Sequence, residues 1–171
     1  MKHTITILPL CGIEFDGKAV RFGQGREAVE AVLGPVQKEH GSRAYYWGGE
    51  LALDFDSAHK VNFIEFLGGP GGALSPELCG LPVFDTDAEE LLEQLKCAGG
   101  EIVDEDGGYT IIVPSMSVGL YREITPADVE EMVRQMANMD VTHLGHVDLA
   151  AEQRRAARWE TVGIGRENYY V

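Results

Sequence analysis

One order of elements occurs twice in this chain, and it constrains the fold more than any other feature. An amphipathic helix stops at a glycine, and short alternating strands follow, separated by glycine turns. In residues 23–66, Ala28, Val29, Val32 and Leu33 recur at helical spacing over residues 24–33. Gly34-Pro35 ends that helix, because glycine accepts the left-handed cap and proline cannot continue. Residues 45–47 then read as an aromatic strand and Gly48-Gly49 as a turn. Leu51, Leu53 and Phe55 alternate along a second strand, and residues 61–66 form a third. In residues 86–123, Thr86 and Glu89 have the spacing of a capping box, and Ala88, Leu91, Leu92 and Leu95 make the stripe. Gly99-Gly100 stops this helix. Strands follow at residues 102–103, 109–113 and 117–122, with a hairpin turn at Asp106-Gly107-Gly108. The pattern predicts an α+β protein in which two helix-plus-antiparallel-hairpin units form one curved sheet with helices on one side.

Strands are expected ahead of the first unit at residues 4–8, 12–15 and 19–22. The glycine run at residues 68–72 marks the boundary between the units. After the second unit, Thr125 reads as a cap, Pro126 as the first helical residue and Asp128 as a first-turn acid. Val129, Met132, Val133 and Met136 form the expected inner face of that helix. A fourth helix is expected within residues 147–158, a terminal strand at residues 159–164, and Tyr169-Tyr170 beyond it. A length of 171 residues suits a single domain, with residues 125–171 as an extension of the two units. No run of about 18 apolar residues is present. Met1-Lys2, residues 5–10 and Cys11 have the order of a lipoprotein signal. That stretch is too short, contains Pro9 and lacks a small residue at Leu10, so it reads as the first strand.

Charge narrows the class of partner. Twenty-eight acids face fourteen bases, a net charge of −14. Such a field repels nucleic-acid phosphates and anionic membranes and attracts basic proteins. Residues 77–106 hold ten of the acids and one base, Lys96. Glu89, Glu90 and Glu93 fall on the helix face opposite the leucines, and Asp104, Glu105 and Asp106 on the following turn. Two readings stand side by side: an ordinary solvated face, or a docking face whose self-repulsion a basic partner relieves. Tyr45, Tyr46 and Trp47 carry a similar pair of readings, as a binding hot spot or as cross-strand core. Cys11, Cys79 and Cys97 are sparse and odd in number, which points to a reducing compartment and a cytoplasmic location.

Catalytic chemistry finds little support. No nucleophile elbow or phosphate-binding loop is present, and Gly163-x-Gly165 stands without a fingerprint around it. Asp140, His143, His146 and Asp148 are ligand types that suit a divalent metal. The two histidines lack zincin spacing and have Gly145 between them, so loop histidines are the expectation, with no metal or other cofactor.

The first unit resembles the repeat of beta-lactamase inhibitory protein and of the small lipoprotein of the barrel-assembly machinery. The residues that carry the likeness are Val20-Arg21-Phe22-Gly23, Arg26-Glu27-Ala28-Val29, Val32-Leu33-Gly34-Pro35, Tyr45-Tyr46-Trp47 and Leu51 to Asp56. Here Gly34 and Pro35 are adjacent, and Gln24-Gly25 replaces the usual small capping residue. The whole chain, through Trp159 to Gly165 and Tyr169-Tyr170, is similar to immunity partners of bacterial polymorphic or contact-dependent toxins. That resemblance implies a non-enzymatic cytosolic inhibitor that binds a cognate toxin domain, for which an acidic surface suits a basic nuclease. The alternatives are a scaffold or assembly factor of the same repeat fold, or a small metal-dependent hydrolase using His143 and His146.

Overall fold

A computed structural model describes residues 1–138 and 147–170. The α+β expectation holds, with four helices and thirteen strands among the described residues, in two mostly antiparallel sheets. The single curved sheet becomes two. The smaller contains β1 (His3–Leu8), β2 (Gly12–Phe15), β3 (Lys18–Arg21), β8 (Leu74–Leu78) and β9 (Leu81–Pro82), in the order β3-β2-β1-β8-β9. Only its central pair, β1 with β8, is parallel. Pro76 made β8 unreadable as a strand. It is tolerated where the pairing of β8 with β9 runs out: the ladder covers Glu77 and Leu78, and Pro76 contributes only its carbonyl there, which accepts from the Val83 amide at 2.8 Å.

The larger sheet is antiparallel throughout. Its first half is β4 (Lys38–His40), β5 (Arg43–Tyr46), β6 (Leu51–Phe55) and β7 (Val61–Phe66). Its second is β10 (Val103–Asp104), β11 (Thr110–Val113), β12 (Val118–Tyr121) and β13 (Thr161–Gly165). The order β10-β11-β12-β13-β7-β6-β5-β4 runs each half from an outer edge inward, and the halves meet where β13 pairs with β7, Ile164 opposite Ile64. Each half therefore follows its helix with four strands rather than three. The edge strand β4 was hidden by its polar Lys38-Glu39-His40, all exposed, and β13 lies outside the expected unit 86–123.

The helices are α1 (Arg26–Leu33), α2 (Ala88–Cys97), α3 (Pro126–Asn138) and α4 (Leu149–Ala156). Val29 of α1 and Ala88, Leu91, Leu92 and Leu95 of α2 join one buried cluster. That cluster includes Leu51, Leu53, Phe66, Val162 and Ile164 of the large sheet and Ile5, Ile13 and Leu78 of the small one. Glu50 ties the sheets together. Its carboxylate accepts hydrogen bonds from the Ala73 and Leu74 amides at 2.9 and 3.0 Å, just past the glycine run. A β-carbon at Gly68 or Gly72 would meet that carboxylate at 2.7 Å, which explains small residues there.

The caps depart from expectation in one place. The α2 helix is capped by Asp87, which accepts from the Glu89 amide, while Thr86 is buried ahead of it. At α3 the expected cap forms reciprocally. The Asp128 carboxylate accepts from the Thr125 amide at 2.7 Å, and the Thr125 hydroxyl accepts from the Asp128 amide at 3.3 Å. A small separate cluster, Ile124, Val129 and Ala156 with Met132, joins α3 to α4. Val133 is not part of it and is 44% exposed.

Candidate functional site

On the inner side of the large sheet the space is filled. Its outer side carries an ordered array of residues across the strands. Pairing register places Tyr45, Ala52, Glu65, Gly163, Gly119 and Ile112 in one outward row across six strands. Arg43, Asp54 and Phe63 lie in the adjacent row. The Arg43 guanidinium lies 5.6 Å from the Tyr45 ring, is 3.0 Å from Asp54, and also pairs with Glu65. Its pKa is drawn down by burial, but the Glu65 and Asp54 carboxylates outweigh this and leave it raised.

Tyr169 and Tyr170 fold back onto this side. Tyr169 stacks on Phe63 with centroids 4.5 Å apart and planes 11° apart, and Tyr170 meets Phe63 edge-on at 6.1 Å. Burial pushes the Tyr170 hydroxyl well above its ordinary pKa. The trough under the two rings is made by glycines. A β-carbon on Gly119 would stand 2.5 Å from the Tyr170 hydroxyl oxygen, and one on Gly163 would stand 2.5 Å from the Phe63 ring. Gly163-x-Gly165 is therefore a seat for aromatic rings. Its signal in the sequence is the nearby Tyr169-Tyr170 pair, which periodicity does not connect to β12 or β13.

The three expected aromatic contact residues are separated by the fold. Tyr46 is fully buried on the inner side and offers no surface to a partner. Trp47 does not continue the strand. It takes φ 53°, a costly left-handed geometry for a bulky residue, and begins the turn with Gly48 and Gly49. Its ring lies 4.8 Å from His3 and 5.4 Å from Phe15, so it is half-buried against the small sheet. Tyr45 alone stays on the outer side, with Arg43 as a neighbour that sequence reasoning did not assign.

The acidic candidates divide by use. Glu89, Glu90 and Glu93 are all exposed on the outward face of α2. Glu93 pairs with Lys96, and Glu89 lies 3.5 Å from Arg122. Arg122 is 4% exposed. It donates to the carbonyls of Gly108 and Ala156 at 2.8 Å each and lies 4.7 Å from the Trp159 ring. Glu90 and Glu105 have no ion pair or side-chain hydrogen bond among the described residues. Asp104 and Asp106 are engaged by the hairpin. Asp104 accepts from the amides of Gly108, Gly107 and Asp106, which hold its pKa below the usual carboxylate range. Asp106 accepts from the Thr110 amide and hydroxyl.

Asp140, His143 and His146 lie outside the described residues, and Asp148 caps α4 by accepting from the Ala151 amide at 3.0 Å. Among the described residues no group of three or more His, Cys, Asp or Glu side chains is arranged to hold a metal ion. No helix among them is long and apolar enough to cross a membrane. Comparison with family models, with curated proteins and with solved structures returns no match.

Proposed function

We propose that this chain is a non-catalytic protein-binding inhibitor of the immunity type, acting in the cytoplasm, which docks a basic protein domain on the outward face of α2. One observation carries the reading. The inward stripe of α2 is buried to the last leucine, while Glu89, Glu90 and Glu93 on its other face remain in solvent. Glu89 leans on Arg122 and Glu93 on Lys96, Glu90 has no ion pair among the described residues, and the three like charges on one face repel one another. A basic surface relieves that repulsion and gains a steered encounter. Asp104 and Asp106 shape the adjoining hairpin, and Glu105 extends the acidic face beside them.

The experiment uses the product of the gene adjoining this one, purified as a catalytically dead variant. Glu90→Lys with Glu93→Lys is the informative pair, because Glu89 faces the buried Arg122 and reversing it would disturb the fold. The double variant should fold normally. At low salt it should associate about tenfold or more slowly, and the wild-type rate should fall as salt rises. Equal association rates for wild type and double variant at low salt would sink this docking face.

A second reading has its own support, the outward patch in which Arg43 lies over the Tyr45 ring and Tyr169 stacks on Phe63 in the same row as Arg43. Arginine and tyrosine dominate hot spots. Tyr45→Ala would then accelerate dissociation while leaving association and its salt dependence unchanged.

A further inference from the structure

We propose that the cleft at the junction of α4 and α2 binds a phosphorylated small molecule, with Arg154 and Arg158 as the residues that hold its phosphate. The inference is independent of the protein-binding role. The cleft is open to solvent and holds about 670 Å³, within the range of small-ligand sites, and Pro70, Asp87, Gln153, Arg154, Arg155 and Arg158 line it. Three of the chain's fourteen bases thus face one hollow with a single acid, in a protein that carries twice as many acids as bases.

The three guanidinium groups are not equivalent. Arg155 is held by Glu160 at 2.7 Å and by Glu123. Arg158 donates to the Ala157 carbonyl at 3.1 Å and approaches Asp87 at only 3.5 Å. Arg154 is exposed and has no ion pair among the described residues. Arg154 stands in the last turn of α4 and Arg158 just past its end, and both line the cleft.

A helix C-terminus accounts for Arg154 and Arg155 in the last turn, since cations suit its negative end. It does not account for Arg158, which lies beyond Ala156, nor for a hollow between the side chains. A phosphate satisfies two guanidinium forks at once, and Gln153 adds a neutral donor at the rim. A long polyanion would still meet the repulsion of the whole chain. A small one seated within a Debye length, about 8 Å, responds to the local arginines.

The probe is inorganic pyrophosphate, titrated calorimetrically into the full chain at about 0.15 M ionic strength, where the screening length is about 8 Å. Saturable binding at one site is expected, and Arg154→Ala should weaken it by about tenfold or more, as loss of a charge-assisted hydrogen bond requires. Arg158→Ala should weaken it similarly. Arg154 is exposed and has no ion pair among the described residues, so its variant should melt like wild type. Arg134→Ala, on α3, removes a charge of the same kind outside the cleft and should leave binding unchanged. Absence of saturable binding, or equal losses in the Arg134 and Arg154 variants, would overturn the proposal.

Discussion

The two halves of the large sheet follow the same order, helix then four strands, yet they are closed differently. In the first half β6 passes to β7 through residues 56–60. In the second, β12 and β13 are separated by residues 122–160, which include α3 and α4. Residues 26–66 contain seven acids and four bases, and residues 88–121 contain seven acids and one base. In the first half most acids serve the fold. Asp54 and Glu65 hold Arg43, Glu39 pairs with Arg26, Glu50 ties the sheets, and Asp56 accepts from the Ala58 and Lys60 amides. Among the described residues Glu27 and Glu30 make no such contact there; in the second half Glu90, Glu101 and Glu105 make none, and the engaged acids sit on α2 and one hairpin rather than in the sheet. The difference separates acids that shape a sheet from acids left for solvent or a partner.

The largest effect should come from the closure of the second half. Trp159 is fully buried, donates from Nε1 to the Ala88 carbonyl at 3.3 Å and backs Arg122. It thereby joins the end of the helical insertion to the first turn of α2. Trp159→Ala should cost about 3–5 kcal/mol in urea unfolding. Amide exchange should accelerate first in α2, β12 and β13. A loss below about 1 kcal/mol, or equal loosening of β5 and β6, would show that the second half does not depend on the insertion for closure.

A smaller effect tests the acids of the first half. Removing the Glu50 carboxylate strands the Ala73 and Leu74 amides, so Glu50→Ala should destabilise by about 1–3 kcal/mol. The matching change in the second half, Glu90→Ala, should stay within about 0.5 kcal/mol. Equal effects on the denaturation midpoint would erase the distinction drawn between the halves.

Much of the fold was legible because it rests on local pattern. Leu51, Leu53 and Phe55 announced β6, and Thr125, Pro126 and Asp128 announced the start of α3. The misses have physical reasons. Pro76 concealed β8, because its missing amide falls just past the last residue pair of β8 with β9. Trp47 looked like a strand residue because its left-handed backbone is set by tertiary packing on His3 and Phe15. The pairing of β13 with β7 depends on a contact between residues about a hundred positions apart, which no short-range period encodes. At the site, the outward placement of Glu89, Glu90 and Glu93 followed from the leucine stripe. The structural use of Asp104 and the gathering of Arg154 and Arg158 into a cleft did not, because both depend on where loops and helix ends come to rest.

The last test separates two neighbouring acids within the second half. Asp104 accepts three backbone amides in the β10–β11 hairpin, and Glu105 accepts none among the described residues. The amides favour the ionised form of Asp104, so its folded-state pKa lies below that of the unfolded chain. The sign follows from linkage. A depressed carboxylate pKa contributes stability that is fully present above the unfolded value and is lost as pH falls through the folded one. Asp104→Asn should therefore lower the urea midpoint at pH 7, and the gap from wild type should shrink as pH falls below about 4. Glu105→Gln should match wild type at both ends of that range. If the Asp104 gap stays constant down to pH 2, its carboxylate charge is irrelevant to the turn. Both acids would then belong with the free surface of α2, and the acidic face would extend across the whole hairpin.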